Sequence, residues 1–213
     1  MPSPFFLILV IGLTFQSKGQ VIESRIQEET EILRKKGVDT FFTYSYQCSG
    51  RMPQFDTCAF EEPEYLLWVQ NKKYYIRKFD YCRSYSAILL DSINPFSYFL
   101  AFKSQIGNEE IKAPSYVSSK NRKTKTIVTS AISQDCFFEM SFQIRKNNMI
   151  KKVSDYSLTF KYFDDGKKNM YYNYNQSTKL KILISQITSL VEKLNTQSNF
   201  QSQLTSSQKS DPF

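Results

Sequence analysis

Carboxylates are the first side chains in this sequence that could do chemistry, because the chain contains no histidine. Without an imidazole there is no Ser-His-Asp or Cys-His nucleophile pair, no HExxH zinc protease motif and no histidine pH switch. Glycosidases and aspartic proteases, however, need only two carboxylates. Four acidic residues in predicted strands or at their ends are the candidates for such a pair: Asp80, Asp91, Asp135 and Glu139. None belongs to a recognisable motif, so the sequence assigns no catalytic residue.

Motifs that hold phosphates, cofactors or metal ions are also missing. There are six glycines and no P-loop, GxGxxG or GxSxG pattern. The one Ser-x-x-Lys match, at residues 206–209, lies in a polar stretch near the chain end that offers no scaffold. Asp164, Asp165 and Gly166 lack the spaced ligands of an EF-hand and predict a turn. We therefore expect a non-enzymatic protein without a cofactor or a metal ion.

The cysteines indicate disulfides in an oxidising compartment. The sequence has an even number of them: Cys48, Cys58, Cys82 and Cys136. Four cysteines permit three pairings, and we favour Cys48–Cys58 with Cys82–Cys136, because the first pair would close a short loop. A zinc site of four thiolates is the alternative, but structural zinc ligands usually come in closer pairs such as CxxC.

The N-terminus predicts export. Residues 5–15 (FFLILVIGLTF) fit the core of a signal peptide and are too short for a transmembrane helix, which needs about 20 apolar residues. Ser17 and Gly19 have the size and spacing that a signal peptidase reads, so residues 1–19 would be the signal peptide. A buried N-terminal strand or helix is the alternative. No later segment is apolar enough to span a membrane, so we expect a protein of the periplasm, cell surface or medium.

The formal net charge of +8 is unevenly distributed. Residues 21–64 contain five basic and nine acidic residues, whereas residues 103–152 contain ten basic and four acidic residues. The densest basic cluster comprises Lys120, Arg122, Lys123 and Lys125. These residues are the candidates for binding an anionic envelope component, such as a phosphorylated lipid or an acidic polysaccharide. Nucleic acid is the least expected partner of an exported protein, and an ordinary solvated loop is the alternative.

Hydrophobic periodicity predicts one α+β domain over residues 20–194, followed by a disordered polar tail over residues 195–213. Helices are predicted where apolar residues recur every three or four positions: residues 21–36, 95–106 and 178–194. Strands are predicted where polar and apolar residues alternate or β-formers cluster: residues 40–47, 65–70, 74–79, 126–132, 138–145, 156–162 and 170–174. Residues 108–125 are predicted to be a loop. We expect a mainly antiparallel sheet of hairpins with an N-terminal, a middle and a C-terminal helix packed on it.

Residues 68–82 carry the pattern W-x-x-x-K-K-Y-Y-I-x-K-F-D-x-C, and residues 172–175 (YNYN) lead into Lys179, Leu180 and Lys181. With these segments and its composition rich in Lys, Asn, Ile, Phe and Tyr, the chain resembles small exported proteins of unknown function from Bacteroidota over residues 40–194. The resemblance implies an exported bacterial protein. It transfers no activity, ligand or site residue.

The sequence therefore favours an exported, non-enzymatic envelope or secreted protein that binds a partner or has a structural role. Its partner would be an anionic envelope component or another protein. Two alternatives stay open: a carboxylate-dependent hydrolase acting on envelope polymers, and an electrostatic binder of anionic surfaces.

Overall fold

A computed structural model of the chain describes residues 18–48, 62–91, 93–121, 124–130, 136–197 and 199–203. Within these residues a mainly antiparallel sheet carries helices on both faces. The predicted α+β class is confirmed, as are the N-terminal, middle and C-terminal helices packed on the sheet. The predicted signal peptide lies outside the described residues except for Lys18 and Gly19, which open the first helix.

The described helices are α1 (Lys18–Lys35), α2 (Pro95–Asn108), α3 (Asp155–Thr159), α4 (Tyr172–Ser177) and α5 (Lys179–Thr196). The described strands are β1 (Thr40–Cys48), β2 (Glu64–Gln70), β3 (Lys73–Phe79), β4 (Ser84–Tyr85), β5 (Ile88–Leu90), β6 (Ser115–Asn121), β7 (Thr124–Thr129), β8 (Cys136–Ile144), β9 (Asn147–Ser154) and β10 (Ser202–Gln203).

The main sheet has the order β10-β4-β3-β2-β1-β8-β9, and β5 also pairs with β3. The predicted hairpin of β2 and β3 is present, and its turn residues Asn71 and Lys72 have φ values of 51° and 61°. Positive φ at both positions is typical of a type I′ turn, which suits the twist of the flanking strands. β8 pairs with the other side of β1, so β1 lies inside the sheet and joins the two hairpins.

Both faces of the sheet are covered because successive side chains of each strand point to opposite sides. The larger core lies under α2 and α5, where Phe42 of β1 meets Phe99 of α2 and Leu183 of α5. The smaller core lies under α1, where Ile26 packs with Trp68 of β2. The centre of the sheet is therefore apolar on both faces.

β6 and β7 form a two-stranded sheet of their own, which we call the β6–β7 hairpin. Its base is tied to the segment before α4. The Ser115 N–H donates to Asn169 Oδ1 (3.1 Å), and the Ser115 carbonyl accepts from the Met170 N–H (2.8 Å). The Tyr116 ring lies 4.6 Å from the Phe163 ring. The prediction that residues 108–125 form a loop is therefore wrong for β6.

The predicted strands at residues 156–162 and 170–174 are also wrong, because helices α3 and α4 occupy much of these segments. Ser154 explains α3: its hydroxyl accepts from the Ser157 N–H and caps the helix. The buried Asn175 side chain bonds the backbone of Ser157 and Lys112, which gives the irregular chain around α4 its polar partners. Alternation of aromatic residues did not reveal these capping side chains.

The predicted disordered tail starts too early. Helix α5 continues to Thr196, and Phe200 packs against the rings of Tyr65 and Tyr85 at 5.9 and 6.1 Å. Residues 202–203 then pair with β4 as β10. The rest of the predicted tail, residues 204–213, lies outside the described residues.

The preferred disulfide pairing is wrong, because Cys48 is bonded to Cys136. The two cysteines lie directly opposite each other in β1 and β8, with their Cα atoms 3.9 Å apart. The short sequence spacing between Cys48 and Cys58 therefore did not predict the pairing. The bond spans 88 residues of sequence, and the chain-entropy model gives a loop of that size about 4–5 kcal/mol. Cys82 is also disulfide-bonded, whereas Cys58 lies outside the described residues.

Candidate functional site

The carboxylate of Asp80, a sequence candidate, is built into the turn between β3 and β4 and is only 7% exposed. Its Oδ1 accepts hydrogen bonds from the backbone N–H groups of Cys82 and Arg83, at 3.0 and 2.6 Å. Its Oδ2 accepts from the Tyr85 hydroxyl at 2.6 Å. Burial, followed by this hydrogen bond, raises the pKa of Tyr85 to about 12, so the hydroxyl is a donor at neutral pH. Asp80 therefore shapes a turn.

The other candidate acids do not converge on Asp80. Asp91 is exposed just after β5, Glu139 lies in β8, and Asp135 lies outside the described residues. β3 and β8 are separated by two strands, or about 14 Å at the usual strand spacing. Among the residues that the structure describes, no group of three or more His, Cys, Asp or Glu side chains could hold a metal ion.

A carboxylate that the sequence did not single out, Glu64, lies nearer to Glu139. The first residue of β2 is Glu64, and both acids lie opposite Ser45 of β1, on the same face and two strands apart. Burial, followed by the negative charges of Glu139 and Glu23, raises the pKa of Glu64 to about 7. Glu139 also lies 4.0 Å from Lys152 Nζ on β9. Only the register of the three strands reveals this pair, so no local sequence signal could have found it.

A groove of about 980 Å³ runs between α2, α5 and β5. Tyr98 and Phe102 of α2 face Leu190 of α5 across it, and Lys181 and Lys193 lie along its α5 side. The Tyr98 hydroxyl is buried without a hydrogen-bond partner among the described residues. The remaining polar lining is mostly serine, glutamine and asparagine, which is the ordinary composition of an exposed helix surface.

Two of the four predicted anion-binding residues lie in strands of the β6–β7 hairpin. Lys120 and Lys125 lie in β6 and β7, next to the last paired residues of the two strands. Arg122 and Lys123, which join the strands in the sequence, lie outside the described residues. Residues 115–130 contain these four basic residues and no acidic residue. Lys120 and Lys125 therefore lie near one end of a two-stranded sheet.

The two faces of the hairpin differ. Tyr116 and Val128 are cross-strand partners on the face that is half-buried, where Tyr116 contacts Phe163. Val117 and Ile127 are the next cross-strand pair, and they are 45% and 57% exposed. Strand alternation puts them on the opposite face. The sequence analysis missed this pair because it treated the segment before residue 126 as a loop.

Lys167 and Asp165 form an ion pair beside Tyr116, at the base of the hairpin. Lys167 Nζ lies 4.3 Å from the centroid of the Tyr116 ring and 2.6 Å from Asp165 Oδ2. This contact raises the pKa of Lys167 and lowers that of Asp165, so both groups are charged at neutral pH. The excess positive charge of this region therefore resides in residues 120–125.

Comparison with known proteins identifies no relative: no family model, curated protein or solved structure matches the chain. In the part of the chain that the structure describes, no helix has the length and apolar character needed to cross a membrane.

Proposed function

We propose that this chain is an exported, non-enzymatic binding protein that contacts an anionic partner through the β6–β7 hairpin. One observation carries the proposal: residues 115–130 contain four basic residues and no acidic residue, and the strands within them form a sheet separate from the main one. A segment of one charge raises the local concentration of oppositely charged partners.

Export is part of the proposal. The Cys48–Cys136 disulfide and the bonded state of Cys82 fit an oxidising compartment. The apolar run of residues 5–15 and the resemblance of residues 68–82 to exported proteins point the same way. The anionic components that such a protein meets are phosphorylated lipids and acidic polysaccharides of the envelope.

Retention on immobilised dextran sulfate tests the proposal. The probe is the chain from residue 20 onwards, with its disulfides intact. We expect retention that falls steeply with salt, and a loss of about tenfold in affinity in the double variant Lys120→Ala, Lys125→Ala. The measurement is the salt concentration at elution together with the equilibrium affinity at low salt.

The matched control is Lys35→Ala, Lys36→Ala, which removes the same charge from two exposed residues at the end of α1. This control should keep its affinity within about twofold, because Lys35 and Lys36 lie outside the hairpin that is proposed to contact the polymer. Equal losses in both double variants would mean that net charge alone binds the polymer. Retention that does not change with salt would also contradict the proposal.

A second candidate function, hydrolysis of an envelope polymer, is favoured by the raised pKa of Glu64 beside Glu139. A glycosidase uses two carboxyl groups, one of which has a raised pKa and acts as the general acid. Glu64→Gln distinguishes the functions, because it removes the candidate general acid and leaves the hairpin intact. Hydrolysis of an acidic envelope polysaccharide that disappears in this variant would favour the hydrolase.

A further inference from the structure

Strand β9 is the last strand on one side of the main sheet, so one edge of its backbone faces away from β8. A two-residue turn joins β8 to β9, and Ile144 lies opposite Asn147 across it. These two residues begin and end the turn, so they form a hydrogen-bonded pair. Bonded and non-bonded pairs alternate along an antiparallel ladder. The N–H and C=O groups of Asn148, Ile150 and Lys152 therefore point away from β8.

These outward backbone groups form a regular row, which we call the β9 edge. In the part of the chain that the structure describes, β9 pairs with no strand other than β8, and no turn or loop backbone group bonds to residues 148, 150 or 152. Two residues of a strand span about 7 Å, so donors and acceptors repeat at the spacing of another extended chain. An unpaired edge of this kind is a template for strand addition.

A groove of about 480 Å³ lies beside the β9 edge. Residues 150–154 line one side of it, and residues 108–111, at the end of α2 and just after it, line the other. Lys151 Nζ donates to the Gly107 carbonyl at 2.7 Å, which ties β9 to the end of α2. Ile150, in the middle of the edge, is 66% exposed. The edge therefore offers space and an apolar side chain as well as backbone groups.

The charges around the β9 edge favour an acidic occupant. β9 and the turn before it contain four basic residues and no acidic residue. Three of these basic residues are exposed: Arg145, Lys146 and Lys152. Arg145 Nε lies 3.9 Å from Asp39, and Lys152 Nζ lies 4.0 Å from Glu139. Exposed ion pairs of this kind contribute little to stability, so these basic groups can also pair with acidic side chains of a partner.

Other occupants fit the β9 edge less well. A second copy of β9 would bring the same four basic residues towards each other, and like charges on paired strands are destabilising. Lysine on an edge strand is a common device against such self-pairing. A polysaccharide has no backbone amides, so it would leave the row of N–H and C=O groups without matching partners.

We propose that the β9 edge binds an extended acidic segment of a partner protein, which joins the main sheet as a further strand. Backbone hydrogen bonds supply affinity in this mode of recognition, and side chains next to the edge supply specificity. The inference goes beyond the proposed function, because it involves the main sheet and not the β6–β7 hairpin.

Fluorescence anisotropy with a labelled peptide tests the proposal on the disulfide-intact chain from residue 20 onwards. The probe is a peptide of about seven residues in which glutamate alternates with valine, a residue with high strand propensity. We expect saturable binding of this peptide and none of the peptide in which lysine replaces each glutamate. The glutamate peptide with every backbone nitrogen methylated should bind at least about tenfold more weakly, because it donates no backbone hydrogen bond.

The variant Ile150→Pro removes an outward N–H from the middle of the β9 edge. Proline is tolerated on edge strands when its nitrogen faces away from the neighbouring strand, so the pairing with β8 should persist. We expect a loss of at least about tenfold in affinity for the glutamate peptide. The matched control is Ile150→Thr, which keeps the N–H and should lose less than about threefold. Equal melting temperatures will verify folding, and the methylated peptide tests the same hydrogen bonds without any substitution.

The contribution of charge has its own pair of variants. Lys146→Gln, Lys152→Gln should lose about fivefold in affinity for the glutamate peptide, because two basic groups next to the edge are removed. Lys35→Gln, Lys36→Gln removes the same charge from the end of α1 and should stay within about twofold of the unmodified chain. Equal losses in both double variants would show that net charge, and not the β9 edge, attracts the peptide.

Three other results would overturn the inference. Binding of the glutamate peptide that survives both methylation and Ile150→Pro would show that no strand is added at the β9 edge. A dimer in sedimentation equilibrium that Ile150→Pro dissociates would assign the edge to a second copy of the chain. Absence of peptide binding would also refute the inference. Ile150→Pro keeps every charge, so its unchanged retention on dextran sulfate would leave the proposed function standing in each case.

Discussion

At the scale of single residues, two acidic side chains support the fold through hydrogen bonds, and a third opposes it. Asp80 uses both carboxylate oxygens to hold the turn after β3. Glu109 accepts from the N–H groups of Lys179 and Leu180 at 3.0 and 2.7 Å, so it caps α5 from the end of α2. Glu64 is different, because its charged form is disfavoured by burial and by two neighbouring glutamates.

The raised pKa of Glu64 predicts a pH-dependent stability. Between the ordinary value of 4.5 and the folded value of about 7, the folded chain binds a proton that the unfolded chain has lost. Its contribution is therefore fully present below pH 4.5 and is lost as the pH rises through 7. We expect Glu64→Gln to raise the free energy of unfolding by about 1–3 kcal/mol at pH 8 and to have almost no effect at pH 4.

Urea unfolding across this pH range measures the effect of Glu64→Gln. The control is Glu28→Gln, which changes an exposed glutamate of α1 and should shift stability by less than about 0.5 kcal/mol at every pH. A stabilisation that is the same at pH 4 and pH 8 would show that Glu64 ionises normally in the folded protein.

At the scale of elements, the sequence correctly predicted the helix start and the strand that depend on interactions between neighbouring residues. Asn94 and Pro95 predicted the start of α2, and the Asn94 side chain does accept from the N–H groups of Phe96 and Ser97. The strand pattern of residues 138–145 is likewise present in β8, whose Phe142 is fully buried. In these places, sequence spacing alone is enough because caps and alternation act within a few residues.

Features that depend on strand register were not predictable. β1 pairs with β8 across a long sequence separation, and only this pairing brings Cys48 to Cys136 and Glu64 near Glu139. A pattern that fits both a strand and a helix also misled the prediction. The alternation of aromatic residues from Tyr156 fits a strand, but the Ser154 side chain caps a helix there. The β6–β7 hairpin was missed because its first strand is polar and basic.

Non-reducing peptide mapping tests the cysteine pairing, and with it the register of β1 against β8. Trypsin cleaves after Lys and Arg, so the sequence places each cysteine in a different peptide: residues 37–51, 52–72, 79–83 and 126–145. Because β1 lies against β8, we expect the peptide of residues 37–51 linked to that of residues 126–145. Linkage of residues 37–51 to 52–72 would contradict the pairing of β1 with β8. Four free thiols would also remove the support for export.

At the scale of the whole molecule, charge is segregated along the chain. The stretch of residues 21–64, which includes most of α1 and all of β1, contains nine acidic and five basic residues, whereas the β6–β7 hairpin lies in the basic stretch of residues 103–152. Such an asymmetric charge distribution would turn the hairpin towards an anionic surface during approach.

Hydrogen exchange with and without dextran sulfate tests the central claim most directly, because it locates the contact without substitutions. A two-stranded hairpin opens more readily than the interior of a large sheet, so its amides should exchange quickly in the free protein. We predict that the polymer slows the exchange of residues 115–129 and leaves β1, β8 and the groove between α2 and α5 unchanged. Slower exchange at the groove with an unchanged hairpin would contradict the account.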